Sequence, residues 1–333
     1  MNVAGIDVGS EKVVSVVGKD GRLHKAREFA NDSAGHASLI NVLQNANVAR
    51  VCIEATGVYH LDLAVALYDA GIEVMVINPK AARRFAEAMM ERTKTDPVDA
   101  ALLDEFAERM PFVAWVRPGN EVLALRAFAR HLAALTKLRT QLKNQLHAWR
   151  QSSTVPAAIV EAIQEQIEQV NVQIASMQTK ALELTRSHPE LQQAYKLVLS
   201  VKGIAEISTI ALLGEILVLP KDMSARQWVA MAGLDPRHNQ SGKSVNKKTR
   251  LSKAGNRFLR IALYMPALSA STHDPHLRGF YLHLIEHCGL KKLQAVCAVM
   301  RKLLVALHAI LKTAKAFDGS RLFTLPQEAS ATA

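Results

Sequence analysis

Over the first 112 residues, apolar runs of strand length alternate with segments of helical period, and that order leaves few folds open. Val3-Ala4-Gly5-Ile6-Asp7-Val8-Gly9 and Lys12 to Val17 read as two strands of a hairpin, with Arg22 to Phe29 as a third strand. Ala34 to Gln44 has helical period, Val48 to Ala55 is β-rich, and Leu61 to Ala70 is helical and stops at Gly71. Glu73 to Asn78 is a further strand, closed by Pro79. Strands separated by helices imply an α/β layered domain.

Four carboxylates stand out in this region. Asp7 lies inside an apolar run, where a lone carboxylate is costly without a cation or donors nearby; a turn-capping Asp at a strand end is the plain alternative. Glu54 repeats the pattern at the end of a second strand, before Thr56-Gly57. Lys94-Thr95-Asp96-Pro97-Val98-Asp99-Ala100 opens a helix, with Asp96 suited to the N-cap, Pro97 to the first helical position and Asp99 to the first turn. An acidic helix start complements the macrodipole. Asp96 and Asp99 also face one side, and with Asp7 and Glu54 they supply the hard oxygen donors that Mg2+ prefers. Spacing alone does not decide between these readings.

Two long helical segments follow, Asn120 to about Trp149 and Ala157 to Arg186. Ile159, Ile163, Ile167, Val170 and Ile174 form an apolar stripe on the second. It serves either an antiparallel hairpin within one chain or a coiled coil between chains, and an uncovered stripe favours self-association. Residues 113–190 read as an all-α arm, a spacer or a dimerisation element. Beyond it, Leu197 to Ala205 is similar to a helix-hairpin-helix turn, with Ala205 in place of the second glycine, so a plain helix connection competes.

The charge is concentrated further on. Residues 195–333 carry 20 Lys and Arg against 8 Asp and Glu, whereas the rest of the chain is near balance at 21 against 22. Within this part, Trp228 to Leu234 reads as the apolar end of a helix, broken by Asp235-Pro236. From Pro236 to His273 no acidic residue occurs, and eight basic residues do, among them Arg237, Lys243, Lys247, Lys248, Arg250, Lys253 and Arg257. Ser241-Gly242 lies in the middle. A solvated basic loop is the bland reading; the concentration of charge favours a site for phosphate backbones with a nucleophile in it. Ser244 and Ser252 compete for that role, although Ser252 also suits the cap of the next helix. No uninterrupted apolar run of about 18 residues and no signal-peptide pattern is present, so nucleic acid is expected rather than membrane. Cys52, Cys288 and Cys297 carry no CxxC pattern and read as reduced, mostly buried residues of an intracellular protein. His283-Leu284-Ile285-Glu286-His287 matches H-x-x-E-H, but without an evident third ligand it reads as two helix-borne histidines near a basic surface.

Taken together, G-I-D-V-G around Asp7, C-I-E-A-T-G around Glu54, V-I-N-P at 76–79 and K-T-D-P-V-D-A at 94–100 resemble one family, as do A-G-L-D-P-R…S-G around Ser241 and L-S-K-A-G-N…L-R-I-A-L-Y. The chain is similar over nearly all its length to insertion-sequence transposases of the DEDD type, the family numbered "one-ten", related to the Piv pilin-gene invertases. Ala205 departs from that family's usual G-I-G. The resemblance implies an α/β RNase H-like (RuvC-like) domain over 1–112, a helical coiled-coil arm over 113–190, and a mainly α transposase domain over 195–325. It implies a magnesium-binding tetrad of Asp7, Glu54, Asp96 and Asp99, and Ser241 as nucleophile. It further implies donor and target DNA, a noncoding bridge RNA that pairs with both, and a homo-oligomer, dimer to tetramer, whose active site joins parts of two subunits in the bacterial cytoplasm at the nucleoid. Two rivals are a metal-dependent Holliday-junction-type endonuclease without covalent serine chemistry, and a non-catalytic nucleic-acid scaffold.

Overall fold

The computed structural model describes residues 2–19, 22–241 and 245–325; for Lys19, Asn239, Ser241 and residues 245–247 it describes the backbone only. Lys243, Gly242 and Ser244 lie outside the described residues. The chain divides into two compact units, Met1–Arg117 and Pro118–Ala333.

The first unit is built on a mixed sheet. β1 (Asn2–Val8) pairs antiparallel with β2 (Lys12–Lys19) and parallel with β5 (Val48–Glu54), which pairs parallel with β6 (Glu73–Ile77). The expected third strand is two short ones, β3 (Arg22–Leu23) and β4 (Arg27–Ala30), both antiparallel to β2. The helices are α1 (Ser33–Asn45), α2 (Leu61–Asp69), α3 (Pro79–Ala88), which the apolar pattern does not mark, and α4 (Asp96–Arg109). Asn78 starts α3 by accepting from the Lys80 N–H at 2.8 Å, with Pro79 in the first turn.

Strand alternation divides β1 between two layers. Ala4, Ile6 and Val8 enter a core with Leu39, Leu43 of α1 and Leu63, Leu67 of α2. Val3, Gly5 and Asp7 face the other way, where Val3 and Cys52 pack on Leu103 and Ala107 of α4. The glycine is required at this crossing. A Cβ on Gly5 would collide with the Ala100 carbonyl oxygen and the Asp104 amide, so α4 lies directly on the β1 backbone. A Cβ on Gly18 would likewise meet the Asp104 carboxylate. Asp96 is not the N-cap; Thr95 occupies that position, its carbonyl accepting from the Asp99 N–H at 2.8 Å, and Asp96 is the first helical residue. The Asp96 side chain turns to Lys12 instead, 3.1 Å away.

The second unit is mainly helical. α5 (Asn120–Arg150) and α6 (Ala157–Ser187) pack against one another, and Ile163, Ile167, Val170 and Ile174 are buried there, while Ile159 stays 37% exposed. The apolar stripe is therefore covered within the chain, which removes the argument for self-association drawn from an uncovered face. Leu125, Ala129 and Leu132 of α5 share one core with α7 (Pro189–Leu199), α8 (Glu206–Ile216), α9 (Ala225–Met231) and α10 (Arg257–His273). α11 (Pro275–Glu286) and α12 (Lys292–Thr313) complete it. α12 is long and apolar enough to cross a membrane, yet Val299, Leu303, Leu304 and Leu307 are fully buried, so it serves as a core helix. Between α9 and α10 the basic stretch is a hairpin, β7 (Pro236–Ser241) with β8 (Val245–Leu251), rather than a loop. The connection from α7 to α8 turns at Gly203, whose φ of +97° suits glycine. Of the three cysteines Cys52 is buried, Cys297 intermediate and Cys288 exposed, since Cys288 follows the end of α11.

The substitution Gly5→Ala is expected to destabilise the protein by about 1–3 kcal/mol through overpacking. Urea unfolding followed by circular dichroism measures it, and an unchanged midpoint would show that α4 can move aside without loss.

Candidate active site

In the first unit, Asp7 and Glu54 end adjacent parallel strands on the face that α4 covers, and Asp99 and Asp96 stand in the first turn of α4. The structure thus brings the four expected carboxylates to one end of one layer. Burial and this proximity raise the proton affinities of Asp7, Glu54 and Asp99. Burial first, then Asp99, Asp96 and Glu54, push Asp7 up to about 6. Burial and then Asp99 raise Glu54, against the Lys94 ammonium and the Thr56 hydroxyl, which lies 3.5 Å from Glu54 Oε1. Burial raises Asp99 as well, with Lys94 opposing and Asp96 adding to the rise. Mutual repulsion of this kind is what a divalent cation relieves, and the donors are the hard oxygens suited to magnesium. Among the described residues, however, no three Asp, Glu, His or Cys side chains converge closely enough to hold an ion as they stand. Asp96 is drawn off by Lys12, which also meets Glu28 at 3.1 Å. The donor set fits a magnesium ion in type, charge and location, and not in closed geometry.

A supporting network escaped the sequence reading. Asn31 donates to the Gly9 carbonyl at 2.7 Å and to the Tyr59 carbonyl at 3.2 Å. Gly9 follows the strand of Asp7 and Tyr59 lies in the loop that follows Glu54, so one amide ties together the two segments that carry these carboxylates. His36, buried and held toward its neutral form by burial, donates from Nε2 to Asn31 Oδ1 at 2.7 Å and sets the orientation of that amide. A polar pair flanking an Asp N-cap looks like capping chemistry in a sequence; only the fold shows what Asn31 reaches.

Asp104 is a further carboxylate the sequence reading passed over. It is 1% exposed and accepts from the Gly18 N–H at 3.0 Å. Burial pushes it up to about 7 despite that hydrogen bond, with Glu108 and Glu105 adding to the rise. It lies within the α4–sheet packing, one helical turn and more beyond Asp99.

In the second unit, β7 and β8 place two cations directly opposite one another, Arg237 against Arg250. Like charges across a ladder are unfavourable. Arg237, Lys248, Arg250, Lys253 and Arg257 are exposed, and none forms an ion pair among the described residues. Ser241 ends β7, paired in register with Val245, and Lys247 pairs with Asn239. Ser252 does not cap α10: its Oγ donates to Asp235 Oδ1 at 2.5 Å, and Asn256 caps the helix by accepting from the Phe258 and Leu259 amides. Arg257 lies over the Phe258 ring at 5.0 Å.

The base of this hairpin is anchored by a buried acid. Glu215, 2% exposed in its side chain, takes a two-pronged contact from Arg130 at 2.7 and 3.1 Å, and Asn256 Nδ2 donates to it at 2.6 Å. α5, α8 and the N-cap of α10 meet at that carboxylate. The histidines of H-x-x-E-H, His283 on α11 and His287 just after it, lie with ring centres 5.1 Å apart; the Cys288 thiol lies 3.8 Å from His283 Nε2, and no group of three among the described residues could hold a metal ion.

Two family models match this chain. A family model described as a transposase, of the DEDD type, matches residues 4–151, and one described as "Transposase IS116/IS110/IS902 family" matches residues 195–282. The pilin gene-inverting protein of Moraxella bovis is 30% identical over 296 residues, spanning 87% of this chain and 89% of that protein. The protein of the same name from Moraxella lacunata matches to the same extent. The chain belongs to the IS110 family of transposases. As a member it is an enzyme of DNA recombination. Among solved structures, RuvC of Thermus thermophilus bound to a Holliday junction is 19% identical, covering 33% of the transposase and 96% of that chain with a TM-score of 0.28. Unbound RuvC from Thermus thermophilus gives 20%, 34%, 99% and 0.27.

Asn31→Ala is expected to raise the divalent-metal concentration needed for half-maximal DNA processing by about 10–100-fold, the usual cost of losing support for the segments that carry metal ligands. Titration of activity against magnesium checks it. For Asp104, the folded protein holds a proton that the unfolded chain has released between about pH 4 and 7. Its contribution to stability is full below that window and is lost as pH rises through it. Asp104→Asn should therefore flatten the fall in stability from pH 4 to 7, measured by urea unfolding at a series of pH values; an unchanged slope counts against a protonated Asp104.

Proposed function

We propose that the transposase cuts and rejoins the strands of a mobile element and its target through a covalent phosphoserine on Ser241, with Mg2+ on Asp7, Glu54, Asp96 and Asp99. The observation that carries this reading is the hairpin that ends β7 on Ser241 while holding Arg237 opposite Arg250 without a carboxylate partner among the described residues. That arrangement is unfavourable by itself and becomes favourable when a phosphate backbone lies along it.

Ser241 Oγ attacks a DNA phosphorus, a DNA hydroxyl leaves, and the phosphodiester is kept as a serine ester. Attack by an incoming DNA hydroxyl restores the serine and joins the new strand, with no net loss of ester bonds. Arg237, Lys248 and Arg250 bind the phosphate oxygens, and Lys243, Lys247, Lys253 and Arg257 extend the contact. Magnesium, when bound, supplies a Lewis acid toward the transferring phosphoryl group. The buried Glu215 network holds the hairpin's base, and Asn31 holds the carboxylate loops. As the resemblance to the family implies, sequence choice falls to a noncoding bridge RNA that pairs with donor and target DNA, while the hairpin cations hold the phosphate backbone. Homo-oligomers, dimer to tetramer, and action on the bacterial nucleoid in the cytoplasm complete the reading. The naming of the Moraxella relatives for gene inversion supports rejoining over simple cleavage.

The test incubates the protein with RNA from its element's flank, magnesium and DNA carrying the joined ends, then resolves protease-sensitive adducts by denaturing electrophoresis. An adduct requiring Ser241, Asp7, magnesium and RNA is expected, absent in Ser241→Ala. Cleavage that survives Ser241→Ala without an adduct would instead identify a metal-dependent endonuclease of Holliday-junction type. In parallel, Arg250→Ala should reduce the slope of log affinity against log salt for duplex DNA by about 1.

A further inference from the structure

On the face of the first unit's sheet away from α4, a cavity of about 320 Å³ lies between β2, β4 and α1. It belongs to none of the carboxylate chemistry: Asp7 pairs with Val14, which packs with Ala100 of α4, whereas the next residue, Ser15, points to the opposite side. Three kinds of wall meet here. Val17, Phe29 and Val42 supply an apolar floor. His24, Lys25 and Arg27 line the rim, and all three are exposed. Ser15 supplies a hydroxyl that is 4% exposed and has no hydrogen-bond partner among the described residues.

A buried hydroxyl without a partner is unusual, because desolvating it costs free energy unless something bonds to it. Neither Lys25 nor Arg27 forms an ion pair among the described residues, and no carboxylate lines the cavity. A ligand suited to these walls is anionic, exchanges a hydrogen bond with Ser15 deep in the cavity, and carries a flat apolar part. The volume is at the lower end of the about 300–1,000 Å³ found for small-ligand sites. A phosphate with an attached base meets all of these conditions, the phosphate at the cationic rim and the base against Phe29.

We propose that this cavity binds one unpaired nucleotide of a single-stranded nucleic acid. The site is separate from the carboxylates and from the hairpin of the second unit, and its occupancy does not depend on strand transfer through Ser241.

The probes are short homopolymers of uridine and of deoxythymidine, each ultraviolet-crosslinked to the full-length protein, with the adduct peptide mapped by mass spectrometry. An adduct at His24 or Phe29 is expected, and the stronger of the two arms tells RNA from DNA. In fluorescence anisotropy, Phe29→Ala should weaken oligomer binding about tenfold, the loss of one stacked base. The surface variant Lys25→Ala/Arg27→Ala should weaken it as well while leaving duplex DNA affinity unchanged, which shows that the variant is folded and that the hairpin still works. Adducts confined to other segments, or oligomer affinity unchanged in the surface variant, overturn the site. Loss of recombination in Asp7→Asn or Ser241→Ala bears on the strand-transfer reading alone.

Discussion

The candidate site of the first unit depends on how closely α4 approaches β1. At Gly5 the helix rests on strand backbone with no side chain between them. That contact sets where the first turn of α4 lies, and Asp96 and Asp99 go with it. Four carboxylates gathered this way repel one another and lose solvent, and the cost appears as raised proton affinity at Asp7, Glu54 and Asp99. The packing of an apolar layer therefore maintains an electrostatic arrangement that would disperse if the helix were free. Lys12 partly offsets the repulsion by holding Asp96. Asn31 and His36 add the hydrogen bonds that keep the loops after the two strands in place.

The second unit solves a related problem with opposite charge. A hairpin carrying unbalanced cations would splay by its own repulsion unless its ends were held. The hold comes from α9 and α10: Ser252 bonds Asp235 across the base, Arg260 donates to the Ala232 carbonyl at 2.8 Å, and Asn256 reaches buried Glu215. Glu215 in turn is balanced by Arg130, whose guanidinium lies 4.5 Å over the Phe258 ring. A buried ion pair is not by itself strong support for stability, because desolvation offsets the attraction. Its value here is positional, since it fixes three helices at one point beneath the hairpin.

Several elements depart from what local pattern implies, each for a tertiary reason. The stripe on α6 has the period of a coiled coil, and its partner is α5 of the same chain. Sequence records that an apolar face exists, not which chain covers it. α12 has the length and composition of a membrane span, and it is apolar because the core of the second unit closes around it. The basic stretch after Asp235 lacks the apolar alternation that marks strands, because successive side chains described on it, Arg237 and His238 on one strand and Lys248 to Arg250 on the other, are all exposed, and so it reads as a loop. Asp104 and Glu215 gave no signal because a buried carboxylate is recognised only from what surrounds it.

What the sequence alone determined is the periodic and the chemical: strand and helix order in the first unit, the apolar stripe, the place of excess positive charge, and the residue types at Asp7, Glu54, Asp96, Asp99 and Ser241. The first three follow from side-chain alternation, hydrophobic period and composition, all local properties; the five site positions stand out through the resemblance of their motifs to one family. Tertiary structure decided which faces meet. It put the carboxylates of two strands and one helix at the same end of a layer, turned Asp96 from a cap to the partner of Lys12, and opposed Arg237 to Arg250. It also left Ser15 without a hydrogen-bond partner among the described residues, beside a cationic rim. Such relations depend on distances between residues far apart in the chain, and those distances come from packing.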